Sequence, residues 1–133
     1  SAMTAKRIIL EMGSGNDLYG GDYTKAACRA VEDAIHHSSL TLFSALDLSH
    51  RDLQVKVTIG VQRPEAVDRE QVRATLPRGT ASVEVVAGGL DVADPDHQGH
   101  QGHHVIATAA IEAFLPLEPG RWKLSKDSNR PKE

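Results

Sequence analysis

Apolar and polar residues alternate strictly over residues 53–61, and this period of two predicts a β-strand. The apolar positions of that strand are Leu53, Val55, Val57, Ile59 and Val61. Residues 6–12 and 80–87 show the same type of pattern and predict two further strands, the second of which stops at two consecutive glycines. Residues 104–115 predict a fourth, alanine-rich strand.

Helical spacing replaces this alternation between the first two predicted strands. The apolar positions that form one helical stripe are Tyr23, Ala27, Ala30, Val31, Ala34 and Ile35. Asp22 precedes them at the N-cap position, where its carboxylate can accept a bond from a helix N–H group. A second helix is predicted within residues 64–76, beginning near Asp68 and ending before Pro77, with Val72 and Leu76 directed to the core. Residues 39–48 are compatible with either a helical turn or a strand.

The predicted order is therefore β-α-β-α-β-β, which indicates an α+β fold rather than a doubly wound one. We expect two helices packed on one face of a mostly antiparallel sheet. Residues 4–115 are predicted to form a single domain and residues 116–133 a polar tail, while residues 1–3 resemble a tag remnant.

The strand pattern assigns a mixed set of side chains to the sheet face that points away from the helices. The polar members are Arg7, Glu11, Lys56, Thr58, Ser82, Glu84, His104, Thr108 and Glu112. The apolar members are Ile9, Val86, Ile106 and Phe114. Such a face could meet water, as antiparallel sheets often do. The apolar members favour a subunit interface and hence an oligomer.

The first predicted strand is followed by a glycine-rich stretch at residues 13–21, which is predicted to be a loop that leads into the helix. A helix N-terminus after such a loop can bind an anion. Glu11, Asp17 and Asp22 would repel a phosphate, however, and the spacing fits neither GxGxxG nor the P-loop. The favoured interpretation is a tight strand-to-helix connection.

Composition narrows the classes of partner. The 133-residue chain has a net charge of −3 with both signs interspersed, which argues against nucleic acid or an anionic membrane as its partner. No apolar run approaches the roughly 20 residues needed to span a bilayer, and a cytoplasmic protein is expected. Cys28 is the only cysteine and is interpreted as a small hydrophobic residue. The histidine-rich residues 94–104 match no defined zinc signature, so neither a designed metal site nor a cofactor is predicted.

Three segments together resemble a small family of uncharacterised bacterial conserved hypothetical proteins. They are GSGNDLYGGDYTKAACRAVEDAIHHSSL at residues 13–40, VTIGVQRPEAVD at residues 57–68 and VEVVAGGLDV at residues 83–92. The resemblance covers roughly residues 6–115 and implies no established activity.

A more distant resemblance links LQVKVTIGV at residues 53–61 and DYTKAACRAVEDAI at residues 22–35 to the ring-opening cyclic-amide hydrolases, the cyanuric acid hydrolase and barbiturase group. It implies one repeat of a chorismate-mutase-like, YjgF-like unit, a trimer or multiple of three, and Lys56 as the lysine of a Ser-Lys pair. Where those enzymes place the serine, this chain has Ala87, Gly88 and Gly89. Ser14 or Ser82 would have to supply the hydroxyl.

The first functional hypothesis is a homo-oligomer with a small-molecule site at the subunit boundary. Its predicted catalytic residues are Lys56, a strand lysine between valines, and Lys25, a cation in the first helical turn where the helix dipole disfavours it. The predicted ligand-binding residues are Glu11, Gly13, Ser14, Gly15, Asp17, Asp22, Gly88 and Gly89. The alternative hypothesis is a non-enzymatic binding or regulatory module, in which the same charges form interface salt bridges.

Overall fold

A computed structural model of the chain describes residues 4–37, 54–76, 80–93 and 103–117, and it confirms the α+β fold with two helices and a mostly antiparallel sheet. The elements are β1 (Thr4–Asp17), α1 (Tyr23–His37), β2 (Gln54–Val61), α2 (Arg69–Ala74), β3 (Thr80–Ala87), β4 (Leu90–Ala93) and β5 (His103–Leu117). The undecided residues 39–48 and most of the histidine-rich stretch and the predicted tail lie outside the described residues. Within the described ranges, no helix is long and apolar enough to cross a membrane.

The five strands form one sheet in the order β1-β5-β2-β3, with β4 also paired to β5. The long strand β5 lies antiparallel to β1, β2 and β4, whereas β2 and β3 are parallel. The parallel pair requires a crossover, which is formed by α2 and a short 3-10 turn at Pro64–Ala66. Asp68 caps α2 as predicted, since its side chain accepts bonds from the backbone N–H groups of Glu70 and Gln71.

The core lies between α1 and one face of the sheet. Every residue of the predicted apolar stripe on α1 is buried, as are the alternating residues Val55, Val57, Ile59 and Val61 of β2. On β5 the buried set is Val105, Ala107, Ala109, Ile111 and Ala113. These small and β-branched side chains allow the helix to lie close to the sheet.

Gly13 and Gly15 belong to β1, which corrects the loop predicted over residues 13–21. A Cβ atom on Gly13 would lie 2.4 Å from the backbone nitrogen of Ala34, and one on Gly15 would lie 2.3 Å from that of Ala30. Backbone-to-backbone contact of this kind leaves room only for glycine. The two glycines therefore form the surface of β1 against which α1 packs.

A bulge between Arg7 and Ile9 corrects the predicted orientation of β1. Ile9 pairs with Ala113 and Glu11 with Ile111, and both of these partners are buried on the helix side. The extra residue shifts the alternation by one position, so Ile9 and Glu11 face α1 rather than away from it. Arg7 stays on the other face, where it contacts Glu112.

The strand β4 was not predicted, and it depends on a tight crossing at Gly88 and Gly89. The chain leaves β3, passes beside Gly60 near the end of β2, and joins β5 as β4. Gly89 has a φ of 62°, and a Cβ atom there would lie 2.2 Å from the carbonyl oxygen of Ile106. The side-chain amide of Gln62 donates to the carbonyl oxygens of both glycines, at 3.0 and 3.1 Å. Contacts with Gly60, Ile106 and Gln62 thus hold the crossing in place.

Candidate functional site

The sheet face that is not covered by the helices, here called the open face, has three zones. Strand register places four charged side chains at its charged end: Arg7, Glu112, Lys56 and Glu84. Small and hydroxyl-bearing residues form its central trough: Ser14, Thr58, Gly60, Thr108 and Ala110. Its apolar end consists of Ile106, Leu90 and Val92.

The charged end carries positive and negative side chains in alternation from strand to strand. In the order β1-β5-β2-β3, the residues are Arg7, Glu112, Lys56 and Glu84. The guanidinium of Arg7 lies 3.2 Å from a carboxylate oxygen of Glu112, and the ammonium of Lys56 lies 3.5 Å from one of Glu84. These pairs are partly exposed in the single chain, where each contributes little to stability. Their combined charge is zero.

The trough crosses the middle of the open face, is open to solvent and has a volume of about 510 Å³. Its floor is low because Gly60 and Ala110 carry almost no side chain, while Met12 and Val86 rise on either side. The hydroxyls of Ser14, Thr58 and Thr108 can each donate and accept a hydrogen bond. Among the described residues that line it, none is a lysine, arginine or histidine, and the one charged residue is Asp33 of α1. The trough therefore suits a neutral or cationic group with polar atoms and disfavours an anion.

Exposed apolar side chains surround this trough. Met12 is 66% exposed, and the side chains of Leu10, Val86, Leu90 and Val92 are each exposed by two fifths or more. Five exposed large apolar side chains on one face favour a surface that meets a partner.

The predicted site residues are divided between the two faces of the sheet. Lys56 and Ser14 lie on the open face, whereas Glu11, Asp17 and the helix residue Lys25 lie on the side of α1. A single chain therefore does not bring Lys25 and Lys56 into one site. The open face does place Ser82 directly opposite Lys56 in the strand register, next to the Lys56–Glu84 ion pair.

Asp17 and Asp22 hold the turn between β1 and α1. A carboxylate oxygen of the buried Asp17 accepts from the backbone N–H of Asp22 at 2.8 Å, and Arg29 lies 3.7 Å from the other oxygen. Asp22 caps α1 as predicted, because its side chain accepts from the backbone N–H of Lys25 at 3.0 Å. The described contacts of both carboxylates are structural.

The glycines predicted to bind a ligand also have structural roles. Gly13 and Gly15 seat α1, and Gly88 and Gly89 form the β3–β4 crossing. Gly13 and Gly88 nevertheless line the trough together with Ser14, so three of the predicted ligand-binding residues border one concave surface. Ligand binding by these residues stays a prediction.

Sequence reasoning missed the buried pair of Tyr23 and Asp91, which joins the first turn of α1 to β4. The phenol of Tyr23 donates a hydrogen bond to the carboxylate of Asp91. Burial, followed by this bond and the carboxylate charge, raises the pKa of Tyr23 from 10.0 to about 12. The available signal was a tyrosine at the start of an apolar stripe, but nothing in the sequence indicated β4 as its partner.

Cys28 is half-buried against α2, with its sulfur 3.8 Å from the carbonyl oxygen of Gln71. Burial and the nearby carboxylates of Glu32, Asp22 and Asp68 raise the pKa of this thiol. Because the thiolate is the nucleophilic form, the raised pKa disfavours a catalytic role. Among the described residues, no three histidine, cysteine or acidic side chains are grouped so that they could hold a metal ion.

Comparison with known proteins identifies the family. The family model described as "Conserved hypothetical protein (Lin0512_fam)" matches residues 7–113. The chain belongs to this family. A crystal structure of an FtsZ-like protein of unknown function from Nostoc punctiforme PCC 73102 is similar, with 36% sequence identity and a TM-score of 0.72. That match covers 87% of this chain and 100% of the other.

No curated protein matches the chain. The family match confirms the predicted resemblance to uncharacterised conserved hypothetical proteins, and it brings no activity with it. Neither match is described as a cyclic-amide hydrolase, so that resemblance stays a prediction.

Proposed function

We propose that this protein is a homo-oligomer whose subunits meet at the open face, and that the trough binds a small polar molecule at the subunit boundary. The observation that carries this proposal is the set of exposed apolar side chains around a low trough of about 510 Å³. Covering apolar surface contributes roughly 25 cal/mol per Å², so such a face favours association. A trimer or a multiple of three is expected from the resemblance to trimeric YjgF-like proteins.

The charged end supports a second copy as the partner. Its charges alternate from Arg7 on β1 to Glu84 on β3, so the outermost charge is positive at the β1 edge and negative at the β3 edge. A second copy can then place its Glu84 edge against the Arg7 edge of the first. Like charges that face each other across an interface lower its affinity, and placing Glu84 beside Arg7 avoids such contacts.

The trough supports a small ligand that carries both donors and acceptors. Hydroxyls from β1, β2 and β5 line it, and hydroxyls bind either kind of group. A cyclic amide-like compound has this character. If the protein is an enzyme, Lys56 is the candidate base or electrostatic stabiliser, and Ser82 is the nearest hydroxyl in the strand register.

One observation favours the non-enzymatic alternative. Lys56 lies 3.5 Å from Glu84 and its side chain is 46% exposed, so the isolated chain does not desolvate it. A half-exposed Lys56–Glu84 pair of this kind can act as an interface salt bridge without any catalytic role. In that case, the open face is a binding or regulatory surface.

The test of assembly is molar mass in solution by light scattering for the wild type and Met12→Glu. We expect a wild-type oligomer and a single chain for Met12→Glu, because the variant buries an unpaired carboxylate at the boundary. Ala66→Glu is the matched control, since Ala66 is exposed in the 3-10 turn before α2. A single-chain wild type would refute the proposal.

The test of binding uses dihydrouracil, a cyclic amide that is uncharged at neutral pH, as the probe in calorimetric titrations of wild type, Thr108→Val and Lys56→Met. We expect Thr108→Val to weaken binding, because it removes a hydroxyl at nearly constant shape. Loss of binding in an assembled Lys56→Met variant supports the ligand role of Lys56. Dispersal of that variant supports the non-enzymatic alternative, and absence of binding to wild type refutes cyclic amides as ligands.

A further inference from the structure

The turn between β1 and α1 presents the most exposed aromatic side chain in the described part of the chain. This turn, residues 18–20, is here called the tip. Tyr19 is 86% exposed and its neighbour Leu18 is 46% exposed. Tyrosine is enriched in interface hot spots because it combines a large rigid ring with a polar end.

The tip is held rigidly from below. The carbonyl oxygen of Leu18 lies 2.7 Å from a ring nitrogen of His104, and Asp17 binds the backbone N–H of Asp22 on the far side of the turn. Arg29 donates to the carbonyl oxygen of Asn16, just before the tip, at 2.7 Å. Because these contacts already hold the backbone of the tip, that backbone loses little conformational entropy when Tyr19 binds.

The trough matches this side chain in chemistry and in size. Met12 and Val86 offer apolar contacts to a ring, and the floor offers the hydroxyls of Thr58 and Thr108 to a phenol. The trough volume of about 510 Å³ exceeds that of one tyrosine side chain, so space for a small molecule remains beside it. In its own chain the ring is exposed to solvent and does not occupy the trough.

We propose that Tyr19 of one copy inserts into the trough of a second copy and forms one wall of the ligand site. The occupant is a second copy because the tip and the trough are complementary surfaces of one sequence. The alternating charged end, described above, allows copies of this face to meet without net repulsion. The assignment rests on the proposed function, since the trough must lie at a subunit boundary for Tyr19 to reach it.

The test compares the molar masses of Tyr19→Ser, Tyr19→Phe and Ala110→Trp by light scattering at one protein concentration. Tyr19→Ser removes the ring and Ala110→Trp fills the trough, so both should fall to the mass of one chain. Tyr19→Phe keeps the ring and should remain assembled. Melting temperatures of all three, followed by circular dichroism, establish that each is folded.

A mixing experiment sharpens the test. Ala110→Trp still has an intact tip and Tyr19→Ser an intact trough, so an equimolar mixture should form pairs of chains joined by one inserted Tyr19, at protein concentrations where neither variant associates alone. A mixture that stays at the mass of one chain would overturn the insertion of Tyr19.

The two proposals fail in distinguishable ways. If Tyr19→Ser keeps the wild-type mass while Met12→Glu disperses, the open face is the boundary but Tyr19 is not inserted. If both variants keep the wild-type mass, the boundary lies elsewhere and both proposals fall.

Discussion

The two faces of the sheet are built from the same strands, but only one of them is covered by a helix of the same chain. On the helix side, two glycines of β1 meet the backbone of α1, and the surrounding side chains are buried valines, alanines and isoleucines. On the open face, the neighbouring positions carry charges, hydroxyls and exposed apolar groups. The first face is complete within one chain, whereas the second has the composition of a surface that meets a partner.

This difference predicts how substitutions should act. Changes on the helix side should lower the free energy of unfolding, because that packing has no room to relax. Changes on the open face should leave the free energy of unfolding nearly unchanged and should alter association instead.

Gly15→Ala should lower the free energy of unfolding by about 3 kcal/mol, since its Cβ atom would collide with the α1 backbone. The neighbouring Ser14 points to the open face, so Ser14→Ala should change the free energy of unfolding by less than about 0.5 kcal/mol. Urea unfolding of both variants measures the difference. Equal losses of unfolding free energy in the two variants would contradict the close packing of α1 against Gly15.

Tyr23→Phe should cost about 2 kcal/mol, because it removes a hydrogen bond to a charged group and leaves the carboxylate of Asp91 less well satisfied. The raised pKa of Tyr23 means that its contribution is fully present below pH 10 and is lost as the pH rises towards 12. The stability of the wild type should therefore fall more steeply than that of Tyr23→Phe over this range. Parallel slopes in urea unfolding would argue against the pair.

Asp22→Ala should cost about 1 kcal/mol, the usual effect of removing an N-cap side chain. Asp22→Asn retains an oxygen that can accept the same bond and is the matched control. Thermal unfolding followed by circular dichroism separates the two. If both variants lose equal stability, the carboxylate charge of Asp22 matters more than its capping bond.

Lys56→Met should change the stability of the dissociated chain by less than about 0.5 kcal/mol, because the Lys56–Glu84 pair is about half exposed there and is screened by water. A double-mutant cycle with Glu84→Gln measures the coupling directly. Coupling above about 1 kcal/mol in the dissociated chain would show that this pair already stabilises the isolated fold. Coupling that appears only on assembly would place the pair within the boundary.

Local pattern accounted for most of the fold. The alternation in β2, the helical stripe of α1 and the caps at Asp22 and Asp68 all depend on neighbours within a few residues, so the sequence expresses them directly. The candidate site was harder to predict from the sequence. Its trough forms where Ser14, Thr108 and Gly60 lie opposite one another on three strands that are distant in the chain.

The sequence by itself determined the α+β class, the order of its main elements, the apolar faces of α1 and β2, and membership of a conserved family. Only the tertiary structure decided that Gly13 and Gly15 belong to β1, that a bulge after Arg7 turns Glu11 towards α1, and that the chain crosses at Gly88 to form β4. Periodicity records which residues share a face, but a single inserted residue inverts it, and close backbone contacts involve residues far apart in the chain.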